Sequence, residues 1–121
     1  MTSPNYPDGY PSNHQRIETI RVEKGKILRM LITDFYVASS SDYSTCPFDY
    51  VTITDGDGKI LMEKSCRSLD VLPKTIMSST DIVEIFFYTD SSVFSRGWSL
   101  SWAAVTSGGK IISENIGCKS K

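Results

Sequence analysis

This chain of 121 residues has one histidine and only three cysteines, none of them in a Cys-x-x-Cys pair. That scarcity excludes a structural zinc cluster and a thioredoxin-like redox pair, which need more ligands at closer spacing. Three is also an odd count, and zinc ligation, catalysis and simple burial all remain open for a lone cysteine. No apolar run approaches the about 18 residues that span a bilayer, and Met1-Thr2-Ser3-Pro4 lacks the basic and apolar regions of a signal peptide. Charge of one sign is missing too: 13 Lys+Arg against 14 Asp+Glu leave a net −1. There is no bulk basic field to hold nucleic acid or an anionic membrane, so neither nucleic-acid binding nor membrane insertion is expected. Asn-x-Ser/Thr acceptors and a Gly-x-Ser-x-Gly elbow are likewise absent. His14 lies in the polar stretch Ser12-Asn13-His14-Gln15-Arg16 and reads as a solvated loop residue, so a Ser-His-Asp hydrolase has no base. Nothing marks a sugar cleft around any pair of carboxylates. The chain reads as no enzyme.

What is present is a period-two alternation of apolar residues, with no segment sustaining helical spacing. The length suits one domain with a core of its own. Ile20 and Val22 alternate with polar neighbours, Glu23-Lys24-Gly25-Lys26 supplies a turn, and Leu28, Met30 and Ile32 share a face, so these two segments predict a hairpin. Val51 and Ile53 face away from Tyr50, Thr52 and Thr54. Asp55-Gly56-Asp57-Gly58 then turns the chain into Ile60-Leu61-Met62, a second hairpin. That Asp-Gly stretch lacks the spaced third acid and distant glutamate of an EF-hand, and a turn is its simpler reading. Residues 82–88 carry apolar side chains on both faces and predict a central strand covered on both sides. In the strand Trp98, Leu100, Trp102, large apolar residues alternate with Ser99, Ser101 and Ala103. Short strands joined by Gly, Pro, Asn and Asp turns predict an all-β, two-sheet antiparallel sandwich. Among the cysteines a Cys46–Cys66 bridge is the better reading. It closes a loop of roughly twenty residues and would stabilise the fold by about 3 kcal/mol in an oxidising compartment. Cys118 is then left over, a tail cysteine available to a partner.

From Ser3 to about Val105 the chain resembles a CUB domain, an extracellular two-sheet jelly-roll module. Ser3-Pro4-Asn5-Tyr6-Pro7 and Tyr10-Pro11 resemble its opening motif, and residues 27–35 its strand running into an Asp-Phe pair. Cys46-Pro47-Phe48-Asp49-Tyr50-Val51 resembles its Cys-x-Tyr-Asp-x-Val segment. Asp55-Gly56, Cys66, Pro73 and Ser78-Ser79 fall at its turn, second cysteine and return strand, and Phe87-Tyr88-Thr89-Asp90 with Gly97-Trp98 resembles its closing elements. On this resemblance residues 1–106 are the CUB-like domain and residues 107–121 a tail. The family's first disulfide is missing, with Asn13-His14-Gln15-Arg16-Ile17 in its place. Its opening Gly-Gly-x-Ile strand is also missing, while Gly108-Gly109-Lys110-Ile111-Ile112 stands in the tail. The tail is thus either the start of a following unit or a strand able to fill a vacated sheet edge in this domain or a neighbouring copy.

The resemblance implies calcium, held in many members by one Glu and two Asp at one end of the sandwich. Asp49 and Asp90 match two of those acids. The glutamate position falls at Ala38, whose methyl cannot ligate, so Asp42 and the carbonyl of Ser92 would have to complete a weaker shell. The plainer alternative is that Asp49 and Asp90 serve as local hydrogen-bond acceptors in loops. The implied function is a non-catalytic, secreted or extracellular binding module, cut from a larger precursor, that recognises protein or carbohydrate. With the glutamate lost, exposed Tyr36, Tyr43 and Phe94 become candidate contacts. Two alternatives stand beside it: an assembly module that forms a homodimer through the tail strand and Cys118, and an accessory domain of a secreted protease.

Overall fold

A computed structural model of the chain describes residues 1–38, 46, 48–69, 71–90, 95–106 and 111–114. Among them run the strands β1 (Gln15–Arg21), β2 (Ile27–Tyr36), β3 (Tyr50–Asp55), β4 (Ile60–Ser65), β5 (Lys74–Met77), β6 (Ile82–Tyr88), β7 (Gly97–Val105) and β8 (Ile111–Glu114). They form two four-stranded antiparallel sheets, ordered β1-β6-β3-β4 and β5-β2-β7-β8. The architecture is the expected all-β sandwich of jelly-roll type. Period-two alternation sends Val51, Ile53, Val83, Ile85 and Phe87 inward from one sheet. Leu28, Met30, Ile32, Trp98 and Leu100 meet them from the other, in a single apolar core. Among the described residues no helix is long and apolar enough to cross a membrane.

The first expected hairpin does not form. The turn is real, with the Lys26 N–H donating to the Glu23 carbonyl at 2.9 Å, but the strands on either side of it join different sheets. β1 pairs along its whole length with β6, and β2 lies between β5 and β7. A hairpin would set Ile20 beside Leu28, Met30 and Ile32 in one layer. Crossing between sheets lets these buried side chains face one another across the core instead. The second hairpin forms as expected, β3 pairing with β4.

β6 is central in its sheet, between β1 and β3, but it is covered on only one face. Val83, Ile85 and Phe87 are buried, whereas Ile82, Phe86 and Tyr88 are half-buried and Glu84 is exposed. Its outer face is shielded by its neighbours rather than by a third layer: Tyr50 stacks on Tyr88 at 5.2 Å and tilts against Phe86 at 5.9 Å.

Cys46 and Cys66 are bridged, with Cα atoms 5.7 Å apart and both residues buried. The bridge fastens the approach to β3 onto the residue that follows β4. At the far end of β3, Asp55 is 3 % exposed and gathers donors from another part of the chain. Its carboxylate accepts the backbone N–H groups of Gly56 (3.0 Å), Ser79 (2.7 Å) and Thr80 (3.2 Å) and both hydroxyls of Ser79 and Thr80. Burial pushes this carboxyl up, but the hydrogen bonds from Ser79, Thr80 and Gly56 outweigh it and hold its pKa below the ordinary value. The turn read from Asp55-Gly56 is therefore also a clamp between the β3–β4 hairpin and the connection into β6. Gly56 is required there, since a Cβ would stand 2.8 Å from the Thr80 hydroxyl oxygen, which is already fixed by its bond to Asp55. Asp55→Ala strands several buried donors and should cost about 3 kcal/mol in urea unfolding, whereas Asp57→Ala, two residues on and exposed, should cost under about 1 kcal/mol.

Candidate functional site

Five segments distant in sequence converge at the end of the sandwich opposite Asp55. The Tyr10 N–H donates to the Ser95 carbonyl, and the Asn13 N–H to the Asp90 carbonyl. Asp49, at the entry to β3, is fully buried. One of its carboxylate oxygens accepts the Tyr10 hydroxyl at 2.6 Å and the other accepts the Asp90 N–H at 2.9 Å. The Tyr10 hydroxyl in turn accepts the Ala38 N–H at 2.8 Å. This chain of bonds joins the N-terminal segment, the end of β2, the start of β3 and the exit from β6. Tyr10 is itself wedged edge-on against Phe87, 5.0 Å between ring centres.

Asp49 is fully buried, and burial raises its pKa above the ordinary carboxylate value. Bonds from Tyr10 and Asp90 N–H oppose that push, and the negative charge of Asp90 adds to it. Burial and the bond to Asp49 likewise push the Tyr10 hydroxyl up, so it stays a donor. The structure thus brings Asp49 and Asp90 together. Two close carboxylates suit a hard cation that takes six to eight oxygens. At the third position, however, Ala38 contributes a buried methyl, and both Asp49 oxygens already accept bonds. Among the described residues no group of three or more ligating side chains forms, so these residues alone do not make a calcium shell. Asp42, Ser92, Tyr43, Phe94 and Cys118 lie outside the described residues.

At the same end is a second cluster, of which sequence reading singled out only Tyr36 as a contact. Asp34, near the end of β2, accepts the Arg96 Nε–H (2.8 Å) and Nη2–H (2.7 Å) in a two-pronged pair, and the Tyr6 hydroxyl donates to the same carboxylate. Arg96 lies over the ring of Tyr36 at 5.3 Å from its centre. Tyr36 is 40 % exposed and the Arg96 side chain 45 % exposed, so an aromatic face and a braced guanidinium sit together at the surface. A cavity lined by Pro7, Asp8, Gly9, Ser95 and Arg96 adjoins them. The Arg96 bonds, helped by Tyr6, outweigh partial burial and lower the Asp34 carboxyl to about 2. Arg96 and Asp34 are 62 residues apart. No local pattern marks Arg96, and Asp34 was legible only as the acid of an Asp-Phe pair, with nothing to link the two.

His14 is not the solvated residue the sequence suggests. It is half-buried, its ring is tilted against Phe87 at 5.7 Å, and it is tied to Thr89 through its backbone on both sides. Phe87 offers apolar surface that the polar run around His14 does not reveal.

The CUB domain family model matches residues 1–102. Mannan-binding lectin serine protease 1 of Mus musculus is 34 % identical over 107 residues, 86 % of this chain and 14 % of that protein. Human cubilin is 34 % identical over 112 residues, 89 % of this chain and 3 % of that protein. Among solved structures, the MASP-1 CUB2 domain bound to Ca2+ superposes with a TM-score of 0.73 at 30 % identity, covering 84 % of this chain and 88 % of that one. The extracellular region of zebrafish Gpr126/Adgrg6 gives 0.76 at 29 % identity, covering 88 % of this chain and 13 % of that one. The chain spans a seventh or less of the full length of these curated relatives.

The two buried-end carboxyls move in opposite directions with pH. Asp34 stabilises the fold above the ordinary carboxylate range and that contribution is lost as pH falls toward 2. Asp49 favours the folded state when protonated, and that contribution is lost as pH rises through its raised pKa. Carboxyl-carbon NMR titration should therefore place Asp34 below, and Asp49 above, the ordinary carboxylate value. Tyr10→Phe should raise Asp49 further and cost about 2 kcal/mol, because it strands both Asp49 and the Ala38 N–H.

Proposed function

The chain belongs to the CUB domain family, and on that premise we propose that it is a non-catalytic, secreted recognition module that binds an extracellular protein through the loop end of its sandwich. The observation that carries this reading is the Tyr36–Arg96–Asp34 cluster. Tyr and Arg dominate binding energy at protein interfaces because they bring large area and directional bonds with little freedom to lose. Here Asp34, itself held by Tyr6, fixes Arg96 over the Tyr36 ring before any partner arrives, and both side chains remain partly exposed. In the proposal Tyr43 and Phe94 remain candidate contacts beside these residues. The relatives are large proteins in which a segment like this one is a small share, one of them named as a serine protease. A place as the non-catalytic part of a larger secreted or cell-surface protein fits that proportion.

Calcium takes a secondary place in the proposal. One relative is solved with Ca2+ bound. In this chain Asp49 and Asp90 would supply the carboxylates and Asp42 and the Ser92 carbonyl the remainder, a reduced shell that holds the ion weakly and leaves recognition to Tyr36 and Arg96. What favours an ion at all is the burial of Asp49, which raises its pKa, with the charge of Asp90 adding a smaller push; a cation would offset both. On adding millimolar calcium, thermal unfolding should shift by no more than about 2–3 °C, and Asp90→Asn should remove the shift. A large shift would return calcium to the centre of the mechanism.

Recognition itself is tested by screening the folded domain against secreted and cell-surface ectodomains and against a carbohydrate array. A protein partner should emerge whose affinity falls about tenfold or more in Arg96→Ala and in Tyr36→Ala, with Lys59→Ala as a neutral control at the opposite end. Binding that appears only on the sugar array, or partners indifferent to both substitutions, would defeat the reading.

A further inference from the structure

β1 is an edge of its sheet, and no strand other than β6 comes beside it among the described residues. Its hydrogen-bond parity is fixed at both ends. The Thr89 N–H donates to the His14 carbonyl (2.7 Å) and the Val22 N–H to the Asp81 carbonyl (2.9 Å), so the even-numbered residues between them bond to β6. Gln15, Ile17, Thr19 and Arg21 therefore turn their backbone N–H and C=O groups outward, and among the described residues no backbone group meets them. Proteins commonly blunt such an edge with proline, lysine or a bulge. β1 has none of these: Gln15–Arg21 contains neither proline nor lysine and holds its register against β6 without a shift. Ile17, in the middle of it, is 57 % exposed.

What the edge does carry is two opposite charges at alternate positions. Arg16 and Glu18 lie on the same face of the strand and pair with each other at 2.6 Å, both partly exposed. A second β1 meets the outward backbone groups in antiparallel fashion only where odd-numbered residues face odd-numbered ones. Three neighbouring registers satisfy that condition. Centred on Arg16, the pairing sets Arg16 against Arg16; centred on Glu18, it sets Glu18 against Glu18. Centred on Ile17, it sets Arg16 of each copy against Glu18 of the other, Ile17 against Ile17 and Gln15 against Thr19. The charges then occupy the positions of the ladder without hydrogen bonds, where facing Cα atoms are only about 4.5 Å apart. One register thus closes a ring of four alternating charges, and the registers on either side of it juxtapose like charges.

We propose that β1 is a self-association edge: two copies pair antiparallel through residues 15–19 about a two-fold axis at Ile17, joining their β1-β6-β3-β4 sheets into one. The occupant is a second copy because the charge pattern of this edge is its own complement, as a two-fold interface requires. The axis turns the two molecules end for end, so their loop ends point in opposite directions. This assembly role is independent of the loop-end contact surface proposed above. A five-residue ribbon buries less than the about 1,200 Å² of a stable interface, so the dimer exchanges with monomer and is populated at high concentration.

The test is sedimentation equilibrium of the full chain carrying Cys118→Ser, so that no tail thiol contributes. A concentration-dependent dimer is expected. Ile17→Pro removes an outward N–H and no bond to β6, and should abolish the dimer while leaving the far-ultraviolet spectrum unchanged. Arg16→Glu and Glu18→Arg, each alone, place like charges together and should weaken association about tenfold or more. An equimolar mixture of those two variants should associate again, since each supplies the charges that the other lacks. A chain monomeric at millimolar concentration, a dimer indifferent to Ile17→Pro, or charge variants that stay apart when mixed would overturn the proposal. Should Ile17→Pro disturb the strand, the mixed charge variants still decide. Tyr36→Ala and Arg96→Ala must leave the association unchanged, which separates this result from the fate of the contact surface.

Discussion

A carboxylate buried away from solvent sets the terms for one whole end of this molecule. Asp49 is sealed at the entry to β3, and two donors make its burial tolerable: the Tyr10 hydroxyl and the Asp90 N–H. Each reaches Asp49 from a different part of the chain, and Tyr10 recruits the Ala38 N–H as well. To keep the charge satisfied, four segments must hold their places together. The surface cluster of Tyr36, Asp34 and Arg96 is built on that fixed end. Tyr36 lies two residues before Ala38, and Arg96 follows Ser95, whose carbonyl holds Tyr10.

β3 ends in a second buried aspartate, and the contrast between the two separates residue type from role. Asp55 is surrounded by five donors and has its pKa lowered; Asp49 has two donors and a negative neighbour, and its pKa is raised. The same side chain is a saturated staple at one pole and an unrelieved charge at the other. Only the second keeps a burial cost that its own donors do not offset.

Much of the fold was legible because it follows from local periodicity. Alternating apolar residues marked β3, β6 and β7, the Asp55-Gly56 turn marked the β3–β4 hairpin, and the paired cysteines marked the bridge. Where local and distant preferences separate, sequence reading failed. The turn at Glu23-Lys24-Gly25-Lys26 is compatible with a hairpin or a crossover, and the gain from packing Ile20 against β2 across the core decides between them. His14 looks solvated among polar neighbours until Phe87, 73 positions later, comes to lie against it. Arg96 carries no motif at all, Asp34 was visible only in an Asp-Phe pair, and Tyr10 only as part of an opening motif, with nothing to mark it as the donor to Asp49.

The sequence by itself determined which faces of the strands are apolar, where the chain must turn and which cysteines lie at bridging distance along it. These depend on side-chain alternation and backbone preference, properties that each residue carries with its immediate neighbours. Tertiary structure alone decided which sheet β1 joined, which of the aspartates is starved of donors and which aromatic stands under an arginine at the surface. Those outcomes depend on desolvation and on partners tens of residues away, and they come into being only when the two sheets close on each other.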